Sequence, residues 1–336
     1  MVRLKGVIPS VLTYCTLVIF LYLFVVKPLL PKLQDHLTPS VLLYSKDRCQ
    51  SLKTLYRFNP KSLSLEESNF PLAYGMLVYK DLPQVLFMLS SIYHPQNEYC
   101  MAVGENAPEL FQHLLKELAT CFPNVHFMKR PPISWGSHEI INSAYECLQF
   151  LSHLKTDWKY FQYLSGVDVP LKTNLEMVRI FKAMNGTANV EASSLMPREL
   201  LEFLEDTGIA DEGFWGTLLG NRKKFGIPGS LDFQEWIDYR ENQSSSLKWP
   251  TDGWRYYISR DQVWTKSACR NYMTSGSCVF GIGDVPRLLT SKALEIRRRS
   301  SNPDPKFSAS MYSELPQVEL SRGFNMSQLT HQNWIL

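Results

Sequence analysis

The 336-residue chain has no Asp-x-Asp, no His-Glu-x-x-His, no paired Cys-x-x-Cys and no Gly-x-Ser-x-Gly. The missing zinc patterns argue against a zinc centre, and the missing elbow argues against an α/β serine hydrolase. "GIGDVP" (281–286) has two glycines but not the third of a dinucleotide fingerprint, and it lies far from any early strand–helix turn. There is no internal repeat. Charge of one sign is also lacking: 35 Lys and Arg stand against 32 Asp and Glu, a net +3 without a long basic block. Nucleic acid is therefore excluded as the main partner. A site without Asp-x-Asp that handled a nucleotide diphosphate would neutralise it with Lys or Arg rather than with a divalent ion.

What is present describes a globular chain. It is 45% apolar and 20% charged, with eight Trp and sixteen Tyr, which can serve a core or stack on flat polar ligands. At the N-terminus an uncharged apolar stretch runs from Gly6 to Val26, with Arg3 and Lys5 before it and Lys27 and Lys32 after it. Such a stretch can cross a hydrocarbon core of roughly 30 Å as a helix, and no small-x-small cleavage site follows it. The expected organisation is a cytosolic tail (1–6), a membrane-spanning signal anchor (7–26), a Pro-containing stem (27–69) and a lumenal domain (70–336). Of seven cysteines, Cys15 falls in the apolar stretch. The even remainder, Cys49, Cys100, Cys121, Cys147, Cys269 and Cys278, suits disulfides in an oxidising lumen. Arithmetic fixes none of the pairs, although Cys269 and Cys278 are close enough to close a small loop. Sequons at Asn185, Asn242 and Asn325 are compatible with glycosylation there.

Strand-like and helix-like patterns alternate from residue 72 onward. "LAYGMLVY" (72–79), "YCMAV" (99–103), "NVHFM" (124–128) and "WKYFQYLSG" (158–166) read as strands. "LPQVLFMLSSIYH", "NAPELFQHLLKELATCF" and "SHEIINSAYECLQFLSHL" between them carry apolar residues at helical spacing. This predicts an α/β fold with a largely parallel sheet flanked by helices. Ligands in such sheets sit beyond the carboxyl ends of the strands, which places "VGEN" (103–106), "RPPISW" (130–135) and "SGVDVP" (165–170) on the functional rim. The second half is less regular.

"IADEGFWGTLLGN" (209–221) offers two acids at the start of an apolar helical segment. On local grounds Asp211 is an N-cap, and Glu212 is a first-turn acid favoured by the helix dipole. Asp168 is expected to cap the turn before Pro170, His138 to be a plain first-turn residue, "NRKKF" (221–225) to be a solvated loop, and Trp135 to be structural, fixing the loop beside the donor site.

"FPLAYGMLVYK", "SSIYHPQNEYC", "LATCFPNVHF", "SWGSHEIINSAYECL", "WKYFQYLSGVDVPLKTNLEMVR", "DEGFWGTL", "IPGSL" and "SCVFGIGD" follow one another along the chain. Together they resemble the core-2/I-branching β-1,6-N-acetylglucosaminyltransferases, glycosyltransferase family 14, from about residue 70 to about residue 300. "YHPQNEYC" and "YLSGVDVPLKTNLE" are the most specific parts. The resemblance implies a GT-A-like fold, Golgi type II topology and inverting transfer from a UDP-sugar to an O-glycan acceptor, without metal or other cofactor. It puts the general base on Glu212, acceptor contacts on Glu191, Trp254 and Tyr256, and a diphosphate-binding cation on Arg298. It also implies the disulfides Cys49–Cys121, Cys100–Cys147 and Cys269–Cys278. Two positions depart from the family pattern. Gly104, followed by Glu105, stands where a donor-holding Asp is usual, and Ser275 stands where an Arg is usual, with Arg270 a substitute on the same small loop. The readings that follow are β-1,6 transfer of N-acetylglucosamine, another family activity such as xylose transfer to a protein serine, or an inactive lumenal glycan-binding protein.

Overall fold

The computed structural model describes residues 18–26, 41, 43–188, 210–227, 229–235, 260–261, 263, 265–274, 277–291 and 293–297. The chain divides into two compact units, Met1–Leu55 and Tyr56–Leu336. In the first, residues 18–21 are helical and run into a π-helical turn, Tyr22–Val26, with exposed apolar side chains from Val18 to Phe24. Helix α1 (Arg48–Leu55) ends this unit. Much of the expected span 7–26 lies outside the described residues, and among the described residues no helix is long and apolar enough to cross a membrane.

The second unit is an α/β body. A short helix α2 (Leu65–Ser68) precedes strand β1 (Leu72–Leu77), and α3 (Leu82–Ile92), β2 (Glu98–Gly104), α4 (Glu109–Ala119), β3 (Val125–Arg130), α5 (Glu139–Ser152) and β4 (Tyr160–Ser165) follow. The four strands form one parallel sheet in the order β3-β2-β1-β4. This arrangement fits the expected GT-A-like fold. Each element overlaps its sequence reading, with strand ends moved by one or two residues where the ladder, not side-chain alternation, sets the boundary.

The two faces of the sheet differ because alternate side chains do. On one face Ala73, Gly75, Cys100 and Ala102 are small, so α5 packs close and the Cys100–Cys147 disulfide fastens it. On the other face Tyr74 stacks on Tyr99 at 5.2 Å, and Tyr99 stacks on Tyr93 at 5.7 Å. Phe58, from the stretch read as the end of the stem, packs on Tyr93 and Phe122 at ring distances of 5.3 and 4.5 Å. Helix α6 (Asn174–Met184) starts with a full capping box between Thr173 and Glu176, and its Met177 sulfur accepts from the Tyr74 hydroxyl.

After β4 a short strand β5 (Asp168–Pro170) leaves the main sheet. It pairs antiparallel with β9 (Glu295–Arg297), which pairs parallel with β6 (Arg260–Asp261). Helices α7 (Ala210–Leu219) and α8 (Arg222–Phe225) lie between, and hairpin β7 (Tyr272–Thr274)–β8 (Ser277–Val279) and helix α9 (Val285–Leu289) precede β9. Val169 and Leu171 anchor a second core with Cys278, Phe280, Val285 and Leu288, so the irregular half is built onto the end of β4. The Cys269–Cys278 disulfide closes the small loop of this lobe. Cys49 and Cys121 are disulfide-bonded as well.

Candidate active site

The carboxyl ends of the four parallel strands bring the three expected loops together. Gly104, the last residue of β2, is in register with Arg130, the last residue of β3. The Asn106 side chain joins "VGEN" to "RPPISW": its Nδ2 donates to the Ile133 carbonyl at 2.8 Å and its Oδ1 accepts from the Ile133 N–H at 3.0 Å. Gln112 of α4 donates to the carbonyls of Glu105 and Ala107 at 3.1 and 2.8 Å, so this turn is braced from both sides. At the next strand, the Gly166 N–H donates to the Leu77 carbonyl at 2.7 Å, and a Cβ on Gly166 would stand 3.2 Å from Val78. Asp168 is buried, and its Oδ2 accepts the Ser165 N–H at 2.7 Å, the turn-capping role expected of it.

Charge at this rim is arranged in pairs. Glu105, about half exposed, meets Lys129 at 3.2 Å. Arg130 and Glu139 meet at 2.8 Å with only 16% of each side chain exposed, and Ser143 bonds to both. The Arg130–Glu139–Ser143 cluster was not singled out in the sequence. Its signal was there: a basic strand end followed by an acid in the first turn of the next helix.

Gly104 has a physical reason to remain glycine. A Cβ there would lie 2.6 Å from Asn106 Oδ1 and 3.0 Å from the Ile133 nitrogen. The space that a donor-holding Asp would need at this position is taken by the Asn106 amide and the loop it clamps.

Helix α7 carries the acid segment against α5. Phe214 packs on Ile141, with Trp215, Leu218 and Phe225 against the pair. Trp215 also reaches Phe161 of β4 at 6.3 Å. The helix begins at Ala210, so Asp211 lies inside its first turn and is not the N-cap expected; the cap position falls outside the described residues. The Glu212 backbone belongs to this first turn; its side chain is outside the described residues. Glu191, Trp254, Tyr256 and Arg298 also lie outside them, as do Ser275, Asn242 and Asn325. Strand β9 ends at Arg297, in register with Asp168 and immediately before Arg298. Pairing of β9 with β5 thus brings Glu295–Arg297 alongside the segment that follows β4. Arg270 is exposed and reaches the Gly283 carbonyl at 3.5 Å. Asn185 is exposed as the left-handed C-cap of α6, at φ 49°. His138 makes no side-chain cap, and "NRKKF" is not the loop expected but carries a short helix, with Phe225 packed inward and the exposed Lys223 paired with Asp232 and Glu235.

A further expectation is overturned. Trp135 does not pack its loop; 67% of it is exposed. The loop is held instead by Asn106 and by a Ser134–Ser137 turn, so the indole is not needed inside it.

Residues 72–201 match the family model described as Core-2/I-Branching enzyme. This segment is similar to the core-2/I-branching enzymes. It contains the whole parallel sheet and all three rim loops. Among curated relatives, a rat "Beta-1,3-galactosyl-O-glycosyl-glycoprotein beta-1,6-N-acetylglucosaminyltransferase 3" is 32% identical over 164 residues, covering 48% of this chain and 38% of the relative. The human protein of the same name is 34% identical over 145 residues, covering 43% and 33%. A bovine herpesvirus 4 "Beta-1,3-galactosyl-O-glycosyl-glycoprotein beta-1,6-N-acetylglucosaminyltransferase" is 33% identical over 162 residues, covering 48% and 37%. The chain thus spans well under half the length of these core-2/I-branching relatives.

Proposed function

We propose that this chain is an inverting, metal-independent glycosyltransferase. It moves N-acetylglucosamine from UDP-GlcNAc to the 6-OH of a galactose or N-acetylgalactosamine unit of an O-glycan. The observation that carries the reading is the family match over 72–201, with relatives whose names specify β-1,6-N-acetylglucosaminyl transfer. In this reading Glu212 takes the proton of the acceptor hydroxyl as its oxygen bonds to the anomeric carbon. The bond to UDP breaks on the opposite face, inverting that centre, and UDP leaves with the bonding electron pair. Arg298 and Arg270 stabilise the leaving diphosphate, and Glu191, Trp254 and Tyr256 hold the acceptor. The pairing of β9 with β5, which ends one residue before Arg298, supports a cationic role at the end of β4. The protein works in the Golgi lumen, held by its apolar N-terminal segment as a single-pass type II anchor, with Asn185, Asn242 and Asn325 as glycan acceptors.

The test is transfer from UDP-GlcNAc to a mucin-core disaccharide in EDTA. Glu212→Gln is expected to lose about 10²–10⁴-fold in kcat with unchanged thermal stability. A variant as active as the wild type would overturn the base assignment.

The filled space beside Gly104 favours a second reading, a lumenal protein that binds the acceptor glycan without transferring sugar. Calorimetry decides between them: disaccharide binding without UDP binding favours the second.

A further inference from the structure

We propose that Trp135 is a stacking platform for the apolar face of a neutral hexopyranose in the acceptor, a choice of ligand that rests on the transferase reading above. Four observations converge on it. The indole is 67% exposed, although folding normally removes most of so large an apolar surface from water. It makes no hydrogen bond, ion pair or ring contact with the described residues. Its turn is nevertheless fixed: Gly136 has φ 75°, Ser137 Oγ donates to the Ser134 carbonyl at 2.8 Å and accepts from its N–H at 3.2 Å, and Asn106 clamps Ile133 through both backbone groups. All of these bonds come from residues other than Trp135. The loop therefore holds the ring in place without using it, and a pre-placed ring loses little freedom when a ligand docks.

The surroundings select the ligand class. Lys129 is paired with Glu105, and Arg130 with Glu139, so the cations flanking this loop are already neutralised. Among the described residues, a phosphate or a nucleoside diphosphate finds no unpaired cation in Lys129 or Arg130, whereas an uncharged sugar needs none. Position selects the acceptor side. The Trp135 loop leads into the first turn of α5, and Ile141 of that helix holds Phe214 of α7, two residues beyond Glu212. The loop and the helix that carries the proposed base in its first turn thus share one support.

The experiment measures binding to the soluble protein, without turnover, in the wild type and in Trp135→Ala and Trp135→Phe. The probes are galactosyl-β-1,3-N-acetylgalactosamine and UDP. The expected result is a disaccharide Kd about tenfold weaker in Trp135→Ala, restored to within about threefold in Trp135→Phe. UDP affinity and melting temperature stay at wild-type values, and the disaccharide protects wild-type fluorescence from acrylamide quenching more than that of Trp135→Phe. An unchanged disaccharide Kd in Trp135→Ala overturns the proposal. So does a loss confined to UDP, which would make the ring a nucleobase platform, and so does a lowered melting temperature with both affinities reduced, which would make it structural. If the protein transfers no sugar but Trp135→Ala still weakens the disaccharide alone, the transferase reading fails and this one stands.

Discussion

Asn97 donates its side-chain amide to the Asn174 side chain at 2.9 Å, joining the two most family-specific motifs of the chain across 77 positions. Both residues are buried at the amino ends of the strands, on the opposite edge from the candidate site. Asn97 also accepts the N–H of Leu72, the first residue of β1, at 2.9 Å. Asn174 donates to Glu67 at 2.9 Å, and Asn124 ties the carbonyls of His94 and Asn97 to the start of β3. The motifs "YHPQNEYC" and "YLSGVDVPLKTNLE" therefore contribute to one buried polar network, and "SGVDVP" alone of this material reaches the rim.

Replacing Asn97 by Ala strands the Leu72 N–H and the Asn174 carbonyl oxygen in the interior. Each unsatisfied buried group costs about 1–3 kcal/mol, so a loss of roughly 2–6 kcal/mol is expected in urea unfolding. Ligand affinity of the folded fraction is expected to remain at the wild-type value, because the rim is at the other end of the strands.

Gly75 sits under Phe161, where a Cβ would come within 2.6 Å of the ring tip and 3.4 Å of Cys147 Cβ. Gly75→Ala is expected to destabilise by about 1–3 kcal/mol through overpacking. The double variant Gly75→Ala/Phe161→Leu is expected to recover part of that loss, which a double-mutant cycle on thermal or urea unfolding reads directly.

Stability is expected to fall on mild acidification through His94. Burial holds the His94 imidazole below its ordinary pKa, an effect that Glu67 at 3.9 Å offsets only in part. The unfolded chain takes up this proton below about pH 6.5 while the folded protein resists it. The stabilisation is thus complete above that pH and is lost as pH falls toward the folded value, with a slope of at most about 1.4 kcal/mol per pH unit. Melting curves at pH 7.5 and 5.5 check this: His94→Gln is expected to show a smaller drop than the wild type.

Most of the sheet was legible because its signals are local. Four apolar, strand-forming runs separated by helix-period segments define a parallel α/β unit, and the rim loops follow from chain direction alone. The Cys100–Cys147 link seen in the structure was not fixed by counting cysteines; it came with the family resemblance. Trp135 was misread because sequence shows that an aromatic is present, not whether its loop needs it. The Asp211 cap failed because the helix already includes Ala210, which places Asp211 inside the first turn.

By itself, the sequence determined the alternation of strands and helices, the order of the motifs and the absence of an Asp-x-Asp motif. Those features depend on near-neighbour periodicity and residue type. Tertiary structure alone decided that Asn97 and Asn174 share a hydrogen bond, that Asn106 fills the space beside Gly104, that β9 sets Arg297 in register with Asp168, and that Trp135 faces water. Each depends on which distant backbone segments pack together, and packing is a property of the folded whole that no local window of residues contains.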